Sequence, residues 1–191
     1  MRILAGLYKG RKLLAPPKDS ITRPITGAAK KSLMDTLAPL LEGATVLDLY
    51  CGTGTMGLEA LSRGAKLCCF AEKDPKVVGR LKRNIAEVGA EDRSFVWRGD
   101  LTNRLSNWVQ RLDEPVKIAF VDPPFAHARR WNWKQIERKL FDPLAEALAA
   151  DGRVALRVPA KVDVPEQLGR LVVKRTKNYG GMEIALLGLP E

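Results

Sequence analysis

The sequence is poor in the residue types that build metal centres and nucleophilic triads. It contains a single histidine, His127, and only three cysteines, which are Cys51, Cys68 and Cys69. The cysteines form no C-x-x-C pair, and two adjacent cysteines in a strand point to opposite faces. We therefore expect no metal site, reduced thiols without a disulfide-linked partner, and a cytoplasmic protein.

The chain also lacks a long run of apolar residues. No stretch approaches the roughly 20 residues that a membrane-spanning helix needs. The first residues bring in a charge at Arg2 and contain no apolar core of a signal peptide. We expect no membrane partner, and a length of 191 residues favours a single domain, 1–191, with a full hydrophobic core.

Acidic residues are scarce relative to basic ones. The chain has 32 Lys and Arg against 22 Asp and Glu, which gives a net charge of +10. Much of the excess precedes residue 32, where eight basic residues stand against one acid, Asp19. This concentration is typical of a surface that binds nucleic acid phosphates, although a plain solvated basic surface is the alternative.

Residues 1–15 predict a basic β-hairpin, because short apolar segments flank a turn at Tyr8-Lys9-Gly10. Pro24 keeps the preceding residue extended, and Thr26 can cap the helix that follows. We therefore divide the single domain into an extension, 1–25, and the main sheet, 26–191. The basic residues that we expect to contact nucleic acid are Arg2, Lys9, Arg11, Lys12 and Arg23.

From residue 45 onward, strand-like and helix-like segments alternate, which predicts a doubly wound, Rossmann-like α/β sheet of about seven strands. No helical pattern separates the last two strands, so we expect a hairpin and one antiparallel strand. The predicted strands are 45–50, 67–71, 94–98, 116–121, 153–158, 171–176 and 182–187, and the predicted helices are about 55–63, 74–88, 101–111 and 134–149.

A glycine loop follows the first strand of this sheet. The strand ends at Asp48-Leu49-Tyr50, and Gly52, Gly54 and Gly57 lead into a helix. Glycines allow a ligand to approach the backbone, and the helix N-terminus directs amide groups at it. The spacing also fits a dinucleotide-binding fingerprint, with Glu72 about twenty residues further on.

Acidic residues end the next two strands, and they favour a different ligand. Glu72 can accept hydrogen bonds from a ribose diol, and Asp100 can accept them from an adenine amine. Asp48 could attract an ammonium group. An adenosine joined to a cationic amino acid describes S-adenosylmethionine better than a dinucleotide, and the predicted cofactor residues are Asp48, Tyr50, Gly52, Gly54, Gly57, Glu72 and Asp100.

The fourth strand ends in Asp122-Pro123-Pro124-Phe125. The prolines have no N–H group, so this segment offers hydrogen-bond acceptors, namely the Asp122 carboxylate and the Pro123 carbonyl. Phe125 offers a flat face for a stacked base. Acceptors beside an aromatic ring suit a planar substrate with an amino group, and methyl transfer to that nitrogen needs mainly positioning. We predict that these four residues are catalytic.

Several motifs together resemble the bacterial 16S ribosomal RNA guanine-N2 methyltransferase family, within the class I S-adenosylmethionine-dependent methyltransferases. The resemblance covers nearly the whole chain. It rests on the 48–57 loop and on Asp122-Pro123-Pro124-Phe125, and on three further segments: Arg2-Ile3-x-x-Gly6-x-Tyr8-x-Gly10-Arg11-x-Leu13, Thr22-Arg23-Pro24-x-Thr26, and Leu58-Glu59-Ala60-Leu61-Ser62-Arg63-Gly64-Ala65.

The resemblance implies S-adenosylmethionine as cofactor, and 16S rRNA or the small ribosomal subunit as partner. It implies a flipped guanine held by Asp122, Pro123 and Phe125, and an N-terminal hairpin that contacts RNA. The chain departs from the family pattern at Gly27-Ala28, at Arg157, where an acid is common, and at Gly181-Met182. Adenine-N6 methylation of DNA or RNA, protein-glutamine methylation, a nicotinamide-dependent oxidoreductase and a noncatalytic RNA-binding assembly factor are the alternatives.

Overall fold

A computed structural model describes residues 1–17 and 24–190, so the predicted RNA contact at Arg23 lies outside the described residues. The chain forms one eight-stranded sheet with helices on both faces. The helices are α1 (Gly27–Leu37), α2 (Thr55–Ser62), α3 (Pro75–Val88), α4 (Leu101–Val109), α5 (Phe125–Ala128), α6 (Trp133–Ile136) and α7 (Asp142–Ala147). The strands are β1 (Thr45–Leu49), β2 (Leu67–Glu72), β3 (Ser94–Arg98), β4 (Val116–Val121), β5 (Leu148–Pro159), β6 (Gln167–Leu168), β7 (Leu171–Asn178) and β8 (Met182–Gly188).

The strand order is β3-β2-β1-β4-β5-β8-β7-β6. The first five strands are parallel, and β8 is antiparallel to both β5 and β7. The strand order reverses between β1 and β4, because β2 and β3 lie on one side of β1 and β4 and β5 lie on the other. Ligands of such sheets bind beyond the carboxyl ends of the strands at this point. The topology therefore brings the ends of β1, β2, β3 and β4 to one edge.

The predicted doubly wound sheet is confirmed, and three details differ from the prediction. The two-residue strand β6 is an eighth strand, antiparallel to β7. The predicted helix 134–149 is instead α6, a π-helical turn at Glu137–Phe141, and α7. Pro143 has no N–H group, so a regular helical hydrogen-bond ladder cannot continue through it. The chain is already in β5 at Leu148, five residues before the predicted strand start.

Local sequence signals account for the helix boundaries. The Thr26 side chain caps α1 by accepting a hydrogen bond from the Ala29 amide, as predicted. The Asp74 side chain caps α3 in the same way, and Pro75 stands at its first position. Gly89 ends α3 with a positive φ of 70°, a conformation that favours glycine. Within the described residues, none of the helices is long and apolar enough to cross a membrane.

The N-terminal segment packs into the core, which is more than the predicted hairpin required. A single antiparallel bridge joins Arg2 to Lys12. Ile3, Tyr8 and Leu13 are buried among the residues that cover the α2 and α3 face of the sheet. Their burial shows that the segment is fixed to the catalytic sheet at several points.

Backbone groups of this segment also bond to α2. The Glu59 carboxylate accepts hydrogen bonds from the amides of Leu4 and Ala5 at 2.8 and 3.0 Å. The Ser62 carbonyl accepts one from the Leu7 amide at 2.7 Å. Gly6 lies so close to α2 that a Cβ there would stand 1.7 Å from the Ser62 carbonyl oxygen. The turn is therefore seated directly on the helix that follows the glycine loop.

Candidate active site at the carboxyl edge of the sheet

An open cleft lies at the carboxyl edge of the sheet, beyond the ends of β1 and β4. One wall is the glycine loop, and the facing wall is the segment after β4 together with the end of β5. The N-terminal segment supplies a third wall. The lining residues are Met1, Pro16, Pro24, Ile25, Tyr50, Cys51, Gly52, Thr53, Thr55, Asp122, Pro123, Pro124 and Arg157.

Asp48 holds the glycine loop from beneath. Its side chain is only 1% exposed, and its Oδ2 accepts a hydrogen bond from the Gly57 amide at 2.8 Å. Burial raises the pKa of Asp48 well above its usual range, and the charges of Asp122 and Glu72 raise it further, whereas the Gly57 hydrogen bond lowers it. The side chain is not among the residues that line the cleft, and its hydrogen bond is with the loop.

Glycine stands at each of the three loop positions for a different structural reason. At Gly57 a Cβ would stand 2.3 Å from the Phe70 ring, so the helix packs directly on β2. Gly54 has a φ of 84° at the start of α2. Gly52 has a φ of 56°, and a Cβ there would meet nothing within 4 Å. Gly52 thus leaves the cleft side of the loop open, which is where a ligand can approach the backbone.

Glu72 and Asp100 lie at the ends of β2 and β3, as predicted. The Glu72 carboxylate accepts hydrogen bonds from the amides of Gly52, Lys73 and Asp74 at 3.2, 2.8 and 3.0 Å. Its half-buried side chain therefore ties the second strand end to the glycine loop. An ionised carboxylate has about four acceptor sites and three are used here, so one site, on Oε2, remains for a ribose hydroxyl.

Asp100 has a local structural role. It caps α4, accepting hydrogen bonds from the Thr102 amide at 2.9 Å and hydroxyl at 2.7 Å. These bonds lower the pKa of Asp100, and the side chain therefore remains an ionised acceptor. The sequence predicted its position at the strand end and did not predict the cap.

Two further residues of the loop bear on ligand binding. Tyr50 lines the cleft with a φ of 58°, and burial raises the pKa of its hydroxyl to about 12. A positive φ is uncommon for a residue with a side chain and is often found at functional sites. Thr53 also lines the cleft, and its hydroxyl is buried without a hydrogen-bond partner among the described residues. An orphaned polar atom of this kind fits a loop that binds a polar ligand.

Asp122 faces the glycine loop from the end of β4. Its carboxylate is about one fifth exposed, and its Oδ1 accepts a hydrogen bond from the Arg157 Nε at 2.6 Å. Burial raises the pKa of Asp122, while the charge and hydrogen bond of Arg157 lower it. Pro123 and Pro124 continue the same wall and add no N–H donor. This wall presents hydrogen-bond acceptors to the cleft, as predicted.

Phe125 begins α5 directly after the two prolines. The Arg157 guanidinium carbon lies 5.0 Å from the centre of its ring, within the range of a cation–π contact. Trp131 and Trp133 pack edge to face and lie against the core on the α4 and α7 side of the sheet. These two tryptophans therefore anchor this part of the chain to the core.

The predicted RNA contacts Arg2, Lys9, Arg11 and Lys12 are all exposed. They project from a segment whose other residues, Met1 and Pro16 among them, form a wall of the cleft. The turn between them exposes Leu7 to 77%. The basic surface and the cleft thus share one continuous piece of chain.

Sequence reasoning did not identify Arg157 as a site residue, although it marked the position as a departure from a family pattern. The signal available was a charged residue inside an otherwise apolar strand, Val154–Val158. Among the described residues there is no cluster of His, Cys, Asp and Glu that could hold a metal ion, and all three cysteines are buried and unpaired.

Comparison with known proteins agrees with this geometry. The family described as "Conserved hypothetical protein 95" matches residues 1–188. YlbH of Bacillus subtilis, provisionally named an rRNA methyltransferase, is 32% identical over 97% of both chains. Ribosomal RNA small subunit methyltransferase D of Escherichia coli is 38% identical over 65% of this chain and 60% of its own length.

A solved structure extends the likeness to the fold. The yhhF protein of Escherichia coli, provisionally named a methyltransferase, superposes with a TM-score of 0.80 at 30% identity. The match covers 99% of this chain and 97% of the other. The chain therefore belongs to the family described as Conserved hypothetical protein 95, and it is a class I S-adenosylmethionine-dependent methyltransferase of that family.

Proposed function

We propose that this enzyme methylates the N2 amine of a guanine in 16S rRNA, on the small ribosomal subunit and in the cytoplasm. One observation carries the proposal: the Asp122 carboxylate stands at the carboxyl end of β4, across the cleft from the glycine loop, and the Arg157 guanidinium that bonds it lies 5.0 Å from the Phe125 ring centre. The named activity of the ribosomal RNA small subunit methyltransferase D relative supports the RNA substrate.

The residues at the cleft fit S-adenosylmethionine. The open backbone at Gly52, the unpartnered Thr53 hydroxyl and the Glu72 carboxylate would hold its polar groups, with Asp100 at the adenine. Asp48 would support the loop through its hydrogen bond with the Gly57 amide. When bound, the cofactor supplies an electrophilic methyl group, and no group of this chain needs to become a nucleophile.

The acceptor wall would prepare the amino group of the base. The Asp122 carboxylate and the Pro123 carbonyl can each accept one of its hydrogen bonds, which turns the nitrogen lone pair out of conjugation with the ring. Phe125 can stack on the base and fix its plane, a contact worth roughly 1–3 kcal/mol. Orientation of this kind is the main catalytic contribution expected from the protein.

The charge of Asp122 favours guanine over adenine. The guanine amine stands beside N1–H, so guanine offers two adjacent donors to a carboxylate, whose oxygens only accept. The adenine amine stands beside an unprotonated N1, whose lone pair an ionised carboxylate repels. Burial raises the pKa of Asp122, and the Arg157 cation, bonded at 2.6 Å, opposes that shift and favours the ionised form.

Transfer of labelled methyl groups from S-adenosylmethionine to small subunits that lack the modification tests the proposal, with naked rRNA and duplex DNA in parallel. We expect N2-methylguanosine after nuclease digestion. Labelled N6-methyladenine would reject the guanine target, and binding of the cofactor without any label would favour a noncatalytic assembly factor. The Asp122→Ala variant should lose activity by about 10²–10³-fold and still bind the cofactor.

A further inference from the structure

The register of β4 and β5 places Arg157 next to Asp122. Val121 is paired with Leu156 in this parallel pair of strands. Asp122 and Arg157 each follow by one residue, so they occupy neighbouring positions and extend toward the same side. The pair is therefore set by the sheet itself, although 35 residues separate the two in sequence.

Three atoms of the Arg157 guanidinium contact three different neighbours. Nε donates to the Asp122 carboxylate at 2.6 Å, the central carbon lies 5.0 Å from the Phe125 ring centre, and Nη1 lies 3.5 Å from the Met182 sulfur. The side chain is only 8% exposed. One planar group thus bridges the acceptor and the aromatic ring of the acceptor wall, and β8 supports it from behind.

The contact with Met182 brings together two residues that lie far apart in the sequence. Arg157 and Met182 are both positions where the chain departs from the family pattern, and here they touch each other. β5 and β8 pair along this stretch, with Pro159 opposite Met182. The two departures therefore belong to one local arrangement behind the acceptor wall.

A guanidinium has two properties that this position uses. Its charge favours the ionised carboxylate, and its flat face can lie on an aromatic ring while its N–H groups bond in the same plane. Lysine carries the charge and cannot provide the flat face. The arginine can therefore fix both the carboxylate that receives an amino group and the ring that stacks on the base.

We propose that Arg157 is the positioning residue of the acceptor wall, holding the Asp122 carboxylate and the Phe125 ring in the mutual arrangement that receives the target base. This inference rests on the proposed function, since it assigns Arg157 a part in the same reaction. Arg157 acts through Asp122 and Phe125 and does not itself touch the base. The amino group of the base bonds the Asp122 carboxylate and the Pro123 carbonyl, and the ring of the base stacks on Phe125.

The pH dependence of the reaction separates this role from simple packing. Three charged groups bear on the Asp122 carboxylate or its surroundings: Arg157 on β5, Asp48 on β1 and, beyond Asp48, Glu72 on β2. The charged residue of β8, Glu183, lines a different cavity together with Val172 and is not among the groups that shift the pKa of Asp122. Arg157 is the cation among them, so its loss should raise the pKa of Asp122 and move the acid limb of kcat/KM to higher pH.

Three variants test the proposal. Arg157→Gln should lower kcat by about 10²-fold, the loss that a misplacement of about 1 Å can cause, with unchanged cofactor affinity. Its acid limb should move to higher pH. Arg157→Lys should restore the wild-type acid limb while kcat stays low. The matched control is Arg153→Gln on the same strand, because Arg153 bonds the Asp151 and Gly152 carbonyls far from the cleft.

The outcomes distinguish this inference from the proposed function. If Arg157→Gln retains full kcat and the wild-type acid limb, the positioning role is rejected while the methyltransferase assignment stands. If neither Arg157 variant folds, as judged by circular dichroism and thermal unfolding, Arg157 serves stability and the proposal is overturned.

If the wild-type enzyme itself gives no product, the proposed function fails first. NMR titration of ¹³C-labelled aspartate carboxyl groups then still tests the pair. A higher Asp122 pKa in Arg157→Gln than in the wild type or Arg153→Gln supports the contact in solution, and equal values overturn it.

Discussion

Lys30 and Glu59 form an ion pair inside the protein, with 2.8 Å between Nζ and Oε2 and with 4% and 0% of the side chains exposed. The Glu59 carboxylate also accepts hydrogen bonds from the amides of Leu4 and Ala5, and the Lys30 ammonium donates one to the Arg2 carbonyl. The pair therefore fastens α1, α2 and the N-terminal segment to one another directly beside the glycine loop.

Lys30→Met should destabilise the enzyme strongly. The substitution removes the more buried of the two cations that pair with the Glu59 carboxylate, the other being Arg63 at 3.0 Å, and it leaves the Arg2 carbonyl without its donor. Buried polar groups that lose a partner in this way cost about 1–3 kcal/mol. Lys31→Met is the matched control, because Lys31 is 68% exposed in a surface pair with Asp35, and such pairs contribute about 0–1 kcal/mol. Urea denaturation measures both, and equal losses would contradict the assignment of the buried pair.

Gly6→Ala should detach the N-terminal segment from α2. A Cβ at Gly6 would stand 1.7 Å from the Ser62 carbonyl oxygen, and the backbone there has a φ of +80°. Gly10→Ala supplies the control, since Gly10 has a φ of +85° and open space around it. Gly10→Ala should cost about 1–2 kcal/mol from backbone strain alone. Gly6→Ala should lower the unfolding free energy clearly more and expose the segment to proteolysis. Equal losses of unfolding free energy in the two variants would show that the segment can move away from Ser62 without cost.

Asp48→Asn should change how stability depends on pH. Burial raises the folded-state pKa of Asp48, so between the unfolded value near 3.9 and that raised value the folded state binds the extra proton. Wild-type stability therefore falls across this window as pH rises. Asparagine keeps an acceptor for the Gly57 amide and has no charge, so the variant should gain in unfolding free energy relative to the wild type as pH rises above about 4. A pH-independent difference would contradict the buried charge.

Reversing the charges of Lys9 and Lys12 should weaken RNA binding and reduce its dependence on salt. Each lost phosphate contact should lower the slope of log affinity against log salt by about 0.7 for single-stranded RNA. The control is the reversal of Lys66 and Lys117, which changes the net charge equally. Both lie at the amino-terminal edge of the sheet, where they pair with Glu114 and Asp151. The same slope in both double variants would remove the N-terminal segment from the RNA surface.

The sequence predicted those features that depend on periodicity and on neighbouring residues. Apolar strands alternated with capped helices, and strand ends of a parallel sheet share one edge, so the linear pattern was enough to place Glu72 and Asp122 at the carboxyl edge of the sheet. The caps at Thr26 and Asp74 depend on residues at most three positions away, which a linear pattern can show.

Features that depend on register or on distant partners were not predictable in the same way. Lys30 was counted with the basic surface residues, and its burial depends on Glu59, which lies on a different helix. Arg157 meets Asp122 only because β4 and β5 pair with Val121 opposite Leu156. The π-helical turn within the predicted helix 134–149 is a local exception, because it precedes Pro143 and a proline does not alter the hydrophobic pattern.

The place of Met1 in the cleft wall has a practical consequence for expression design. Any residues added ahead of Met1 would emerge at the mouth of the active site, between the basic segment and the glycine loop. A purification tag or fusion partner at that end would obstruct the approach of the RNA. The resulting loss of turnover would resemble low intrinsic activity. Affinity tags and surface attachment therefore belong at the other end of the chain, after β8.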